Sequence, residues 1–138
     1  MNVRQLSVFI ENKVGSVSEV ADIFGDAGVD IKGFSVCDTA DSGILRLIVD
    51  DPARGSVALA AAGFRVDESD VICLGMPDLP GEFESAVRLV SGAGVNIESV
   101  YSLISPHVVI GVADVDRTAS MLQGKALRLM TQEEMAQV

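Results

Sequence analysis

KVGSVSEVADIFGDAGVDI, residues 13–31, decides how this chain is organised. Its apolar residues Val17, Val20, Ala21, Ile23, Phe24 and Ala27 recur at i, i+3, i+4 and i+7, the stripe of an amphipathic helix. Gly28 follows at once, the residue that takes a left-handed helix C-terminus without steric cost. The chain then writes the passage again. With Gly15 set against Gly81, 66 positions on, the six apolar residues meet Phe83, Ala86, Val87, Leu89, Val90 and Ala93 without a gap. Gly28-Val29-Asp30-Ile31 likewise meets Gly94-Val95-Asn96-Ile97. A gapless match of helix stripe and helix exit is a duplication. In the first copy Ser16 and Glu19 also have capping-box spacing.

Working outward, each copy continues in the same order. Gln5 to Ile10 and Val71 to Leu74 read as strands before the helices, and Val29 to Val36 and Val95 to Ile104 as strands after them. Turns follow at Asp38 to Gly43 and at Ser105-Pro106-His107, then strands at Ile44 to Val49 and Val108 to Val112. The offset drops to 64 here because the second turn is shorter. Asp51-Pro52 opens a second helix that runs to Gly63, with a counterpart from Asp116 to Gly124. Phe64 to Val66 and Leu127 to Met130 close the units as short strands, and Thr131 to Glu134 has the capping-box spacing of a last short helix. Strand, helix, strand, strand, helix, strand is the split βαβ pattern of the ferredoxin-like α+β class, an antiparallel sheet with both helices on one face. Two tandem βαββαβ units are expected, at 1–69 and 70–138, joined over Asp67 to Asp70. A unit this small is marginal alone and leaves sheet edges bare, so the units should pack on each other and the chain should form at least a homodimer.

The 138 residues are 49% hydrophobic, chiefly aliphatic, with no Trp, which is enough to bury a core. A formal charge of −10 with scattered basic residues argues against a nucleic-acid footprint. No apolar run is long enough to span a membrane, and Met1 to Gln5 lacks the features of a signal peptide, so a cytoplasmic protein is expected. Cys37 and Cys73 lie in apolar, strand-like runs and are expected to be buried thiols.

Groups for catalysis are scarce. His107, the single histidine, falls in an expected hairpin turn, and neither Cys has a histidine near it in sequence. Asp50-Asp51 and Asp114 with Asp116 stand at strand-to-helix junctions, where carboxylates cap helices. Calcium-loop and zinc-ligand spacings are absent. The expectation is no enzyme, no metal and no cofactor. The strand-to-helix loops stand out instead: Glu11-Asn12-Lys13-Val14-Gly15-Ser16 and Pro77-Asp78-Leu79-Pro80-Gly81-Glu82. Glycine at a helix mouth lets backbone N–H groups approach a ligand, and the helix N-terminus favours a carboxylate. Asp30 and Asn96, expected nearby, are acceptors for an ammonium group. A free amino acid presents both. The same residues also fit a plain structural role, with Gly15 and Gly81 making tight turns and Asp30 and Asn96 finishing helix exits.

Glu11-Asn12-Lys13-Val14-Gly15, a helix, then Ala27-Gly28-Val29-Asp30-Ile31 resembles the ACT domain, a small regulatory fold that binds amino acids. Asp78-Leu79-Pro80-Gly81 and Ala93 to Ile97 resemble it a second time, so the likeness covers two tandem copies up to about Met130. The resemblance implies side-by-side pairing of domains and effector sites where they pair. Carried over by position, the ligand-contacting residues are Asn12, Val14, Gly15, Asp30 and Ile31, and Asp78, Leu79, Gly81, Asn96 and Ile97. ACT domains usually regulate an attached enzyme; the expectation here is a pair without a fused one. The reading is a tandem ACT protein that senses a free amino acid and modulates a partner, a metabolic enzyme or regulator. The alternative is an association subunit with no ligand of its own.

Overall fold

The computed structural model describes residues 2–38, 42–77, 79–103, 107–124 and 128–138. Two compact units divide the chain. The N-terminal unit, Arg4–Ser69, is built from β1 (Val3–Glu11), α1 (Ser16–Ala27), β2 (Ile31–Asp38), β3 (Ser42–Val49), α2 (Pro52–Ala61) and the first half of β4 (Arg65–Gly75). Its strands lie in the order β2-β3-β1-β4, and β3 is antiparallel to both neighbours. Alternation along the strands puts Leu6, Val8, Ile10, Leu45, Leu47 and Val49 on one face, where Val20 and Phe24 of α1 and Leu59 of α2 close over them.

The C-terminal unit, Asp70–Ala136 with Asn2 and Val3, takes the second half of β4, then α3 (Glu82–Gly92), β5 (Ser99–Ser102), β6 (His107–Gly111), α4 (Val115–Leu122), β7 (Arg128–Leu129) and α5 (Gln132–Ala136). Its order is β5-β6-β4-β7, the first unit's topology repeated. Ile72, Leu74, Val108, Ile110 and Val112 meet Ala86, Val90 and Leu122 from the helices. Each unit is therefore a βαββαβ sheet with its two helices on one face.

Capping follows the duplication too. Asp51 and Asp114 each accept a hydrogen bond from the N–H three residues on, at 3.1 Å in both copies. Val29 N–H reaches Phe24 O and Val95 N–H reaches Val90 O, with Gly28 and Gly94 left-handed between them, so both exits are Schellman turns. Thr131 and Glu134 complete the capping box of α5 in both directions.

Several expectations are corrected. The join at Asp67 to Asp70 is not a break between two strands. It lies inside β4, where Gln5 Nε2 donates to Ser69 Oγ at 3.4 Å and Arg4 faces Glu68, side-chain contacts that a strand-poor composition conceals. The strand expected over Val95 to Ile104 shrinks to Ser99–Ser102, because β6 supplies only four rungs opposite it; Ile104 itself lies outside the described residues. Ser16 is not an N-cap: Gly15 holds that position, and no side chain caps α1. Val17 and Phe83 leave the buried stripe and stand about half exposed in the first helical turn. Cys37 is exposed, since β2 is an edge strand, whereas Cys73 is buried. His107 begins β6 instead of sitting in a turn.

Candidate functional site

The two glycine loops match bond for bond. Lys13 N–H donates to Glu11 O, Ser16 N–H to Lys13 O and Glu19 N–H to Gly15 O; 66 residues on, Leu79 donates to Pro77, Glu82 to Leu79 and Ser85 to Gly81. Gly15 has φ 90° and ψ −9°, Gly81 φ 85° and ψ −10°. Both are left-handed, which only glycine adopts without penalty, and both turn the chain abruptly into a helix. The N–H groups of Val17 and Ser18 find no backbone acceptor among the described residues, and neither do those of Phe83 and Glu84. They are the open donors of two helix N-termini.

Around these donors the copies differ. At α1, Glu11, Lys13, Ser16 and Glu19 form one wall of a groove of about 300 Å³ whose other wall is the turn Ala62–Phe64. Lys13 Nζ lies 3.2 Å from Glu11 Oε2, an exposed pair. At α3 the corresponding side chains are Pro77, Leu79, Glu82 and Ser85, and two carboxylates, Glu82 and Glu84, occupy the first turn. Val14 and Leu79 project fully or largely into solvent.

Asp30 and Asn96 are not near the glycines of their own units. Glu11 is level with Ser42, and Ile31 with Val49, seven residues farther along β3. At about 3.3 Å per residue the ends are roughly 23 Å apart. Asp30 is instead tied into its own end of the sheet: its N–H donates to Asp50 Oδ1 at 2.9 Å, its C=O accepts from Asp50 N–H at 3.0 Å, and its carboxylate holds the largely buried Lys32 ammonium at 2.9 Å. Asn96 is exposed at the corresponding end of the C-terminal unit, beyond α3. Ile31 and Ile97 pack, half-buried, against the two cores. Asn12 lies in the first loop, and Asp78 lies outside the described residues.

The groove beside Ser16 is what sequence reasoning missed. Its far wall comes from a turn about 47 positions away along the chain, and only the sheet order brings the two together. The left-handed Gly63, φ 90°, was the one local sign of a tight turn there.

The groups that could suggest catalysis are quiet. Burial pushes the Cys73 thiol up to about 12, so it stays protonated and inert. Burial, aided by the nearby Arg128 guanidinium, holds His107 below its ordinary value, and its ring lies against Gly75. Among the described residues no three His, Cys, Asp or Glu side chains converge as a metal site, and no helix is long and apolar enough to cross a membrane.

Known proteins place this architecture. No curated protein sequence matches the chain. A protein of solved structure from Bacteroides thetaiotaomicron shares 31% sequence identity over 100% of this chain and 98% of its own, with a TM-score of 0.92. The ligand-free regulatory subunit of aspartate kinase from Thermus thermophilus shares the fold at 12% identity, over 88% of this chain and 89% of its own, with a TM-score of 0.65. Its counterpart from Thermus flavus does so at 15% identity, over 88% of each chain, with a TM-score of 0.63. The sequence profile described as ACT domain pair matches residues 1–138, and the chain belongs to that family.

Proposed function

We propose that this ACT domain pair is a regulatory protein that binds a free amino acid and passes the signal to a partner, a metabolic enzyme or regulator, without catalysing a reaction itself. The observation that carries the reading is the glycine loop, built to the same backbone geometry at the mouth of α1 and again at α3, with unpartnered N–H groups behind it. Such donors, with the helix dipole, suit a carboxylate. The fold's appearance in regulatory subunits of aspartate kinase supports a sensing role. Asp30, Ile31, Asn96 and Ile97 take no part in a ligand held by their own unit's loop.

The test is a thermal-shift screen of the common amino acids against the full chain. A ligand at a hundred times its dissociation constant stabilises the native state by about 2.7 kcal/mol. For a chain this size the melting temperature should rise by about 5–10 °C. No response at millimolar concentration would defeat the reading.

A second reading, an association subunit with no ligand of its own, draws on the edge strands. Phe34 is 60% exposed and Val36 48% on β2, and Val100 is 42% exposed on β5. Exposed apolar edges invite another strand. Both readings therefore include a homo-oligomer. Light scattering should give at least twice the chain mass, and Phe34→Glu should lower it; a wild-type chain that scatters as a monomer at micromolar concentration contradicts the assembly.

A further inference from the structure

Strand β7 is only two residues long and pairs with β4 at Leu74 and Gly75, so the edge of β4 from Val71 to Cys73 runs on past it. A slot of about 160 Å³ follows that stretch, inside the C-terminal unit. Val71, Ile72 and Cys73 all line it, although successive strand residues point to opposite faces, so the slot runs along the strand's edge. Its walls are held by bonds already in place. Met130 N–H donates to Cys73 O at 2.9 Å. Ala119 and Gln123, four residues apart, line the slot from α4 and its C-cap. Asn2 completes the lining, tied to α4 by the bond from its Nδ2 to Asp116 Oδ1 at 2.8 Å. The cavity is therefore shaped before any ligand arrives.

Its chemistry is neutral. No charged side chain lines it. Burial pushes the Cys73 thiol up to about 12, so it stays protonated and serves as a small apolar wall. An ion entering the slot gives up its water and meets no counter-charge, which makes a free amino acid a poor fit. Val71, Ile72, Leu129 and Met130 instead offer apolar surface, and walls with no atoms opposite them forfeit dispersion contacts. Apolar cavities of about 150 Å³ take up a molecule the size of benzene. The two carboxamides add hydrogen-bonding groups. With Nδ2 committed to Asp116, Asn2 keeps Oδ1 as an acceptor, and Gln123 brings a donor and an acceptor. One hydroxyl on the ligand suits either.

The first copy is built differently at the same place. Val71 and Cys73 are matched, 66 positions earlier, by the polar Gln5 and Ser7. We propose that the C-terminal unit carries a ligand site of its own, in the slot beside Val71 to Cys73, for a small neutral single-ring molecule with one hydroxyl, of which phenol is the simplest. The site is separate from the glycine loops, and it stands whether or not those loops bind an amino acid.

Methyl NMR of the full chain, titrated with phenol, benzene and sodium benzoate, tests it. Phenol and benzene should each give saturable shifts, one site per chain, centred on the methyl groups of Val71, Ile72, Ala119, Leu129 and Met130. Benzoate, which carries a charge, should give none. Ala119→Leu fills the slot from a helical position where leucine is well tolerated, and it should abolish both responses. Asn2→Leu or Gln123→Leu should weaken phenol about twofold to tenfold, the loss of one hydrogen bond, and leave benzene unchanged. The absence of saturable shifts, shifts centred elsewhere, or benzoate binding as tightly as phenol would overturn the inference. So would wild-type binding in a folded Ala119→Leu chain, or wild-type phenol affinity in both carboxamide variants. If Ala119→Leu fails to fold, the wild-type titration with its three probes decides alone.

Discussion

Helix α1 holds two glycines whose replacement by alanine should move stability in opposite directions. Gly15, at the N-cap, has φ 90°, and a Cβ built there meets no atom within 4 Å. Steric crowding is therefore absent, and the cost of Gly15→Ala is the backbone penalty alone, about 1–2 kcal/mol for an L-residue held left-handed. Gly25 lies within the same helix without a positive φ, and its added Cβ also meets nothing within 4 Å. There alanine restricts the unfolded chain and suits the helix, a gain of about 0.5–1 kcal/mol. The two variants should differ by about 1.5–3 kcal/mol, roughly a ten- to 150-fold difference in unfolding constant. Equilibrium urea denaturation of the full chain measures it, as a lower midpoint for Gly15→Ala and a higher one for Gly25→Ala at unchanged slope. Gly81→Ala should repeat the Gly15 result in the second copy. If Gly15→Ala is neutral, or if both variants shift the same way, the left-handed helix mouth on which the site depends is refuted.

Other outcomes follow from the same packing. Asp51→Ala and Asp114→Ala each remove a side-chain cap and should each cost about 1 kcal/mol, read as a lower melting temperature; no change in either would contradict the capping. Iodoacetamide should alkylate exposed Cys37 in the native protein and spare Cys73, which is buried and pushed up to about 12; mass spectrometry of the digested protein would show the reverse if the burial were wrong. His107 titrates below its unfolded value of 6.5, first because it is desolvated and then because Arg128 is near. Below pH 6.5 the unfolded chain therefore gains a proton that the folded chain resists, so the histidine's contribution is intact above 6.5 and is lost as pH falls through 6.5 toward the lowered folded value. His107→Gln should flatten that part of a stability–pH profile, and an unchanged slope would count against it.

Much of the fold was legible because its signals are local. The helices α1 and α3, the Schellman glycines and the Asp51-Pro52 helix start each rest on signals within a few residues and appear where expected, although Val17 and Phe83 fall outside the buried stripes. The duplication then supplied the topology, since the same element order twice leaves few alternatives. What escaped was decided at a distance. Asp67 to Asp70 is extended because Arg4 and Gln5 lie beside it, which no composition of Asp, Glu and Ser announces. Asp30 looked like a partner for Gly15 because the two are close in sequence, yet the helix between them carries the chain to the other end of the sheet. Arg65 and Val66 were legible as a closing strand, but Phe64 was not legible as part of a turn that walls a groove. Loop geometry, in short, was encoded in Gly15 and Gly81, while the side chains able to share one ligand depended on the order of the strands.

The central claim is that a glycine loop of this ACT domain pair receives a free amino acid, and the most direct test is a crystal structure of the full chain grown with millimolar concentrations of all twenty. The prediction is density for an amino acid with its carboxylate against the open N–H groups of Val17 and Ser18, or of Phe83 and Glu84. Glycine loops that hold only water at both Gly15 and Gly81 under those conditions would contradict it.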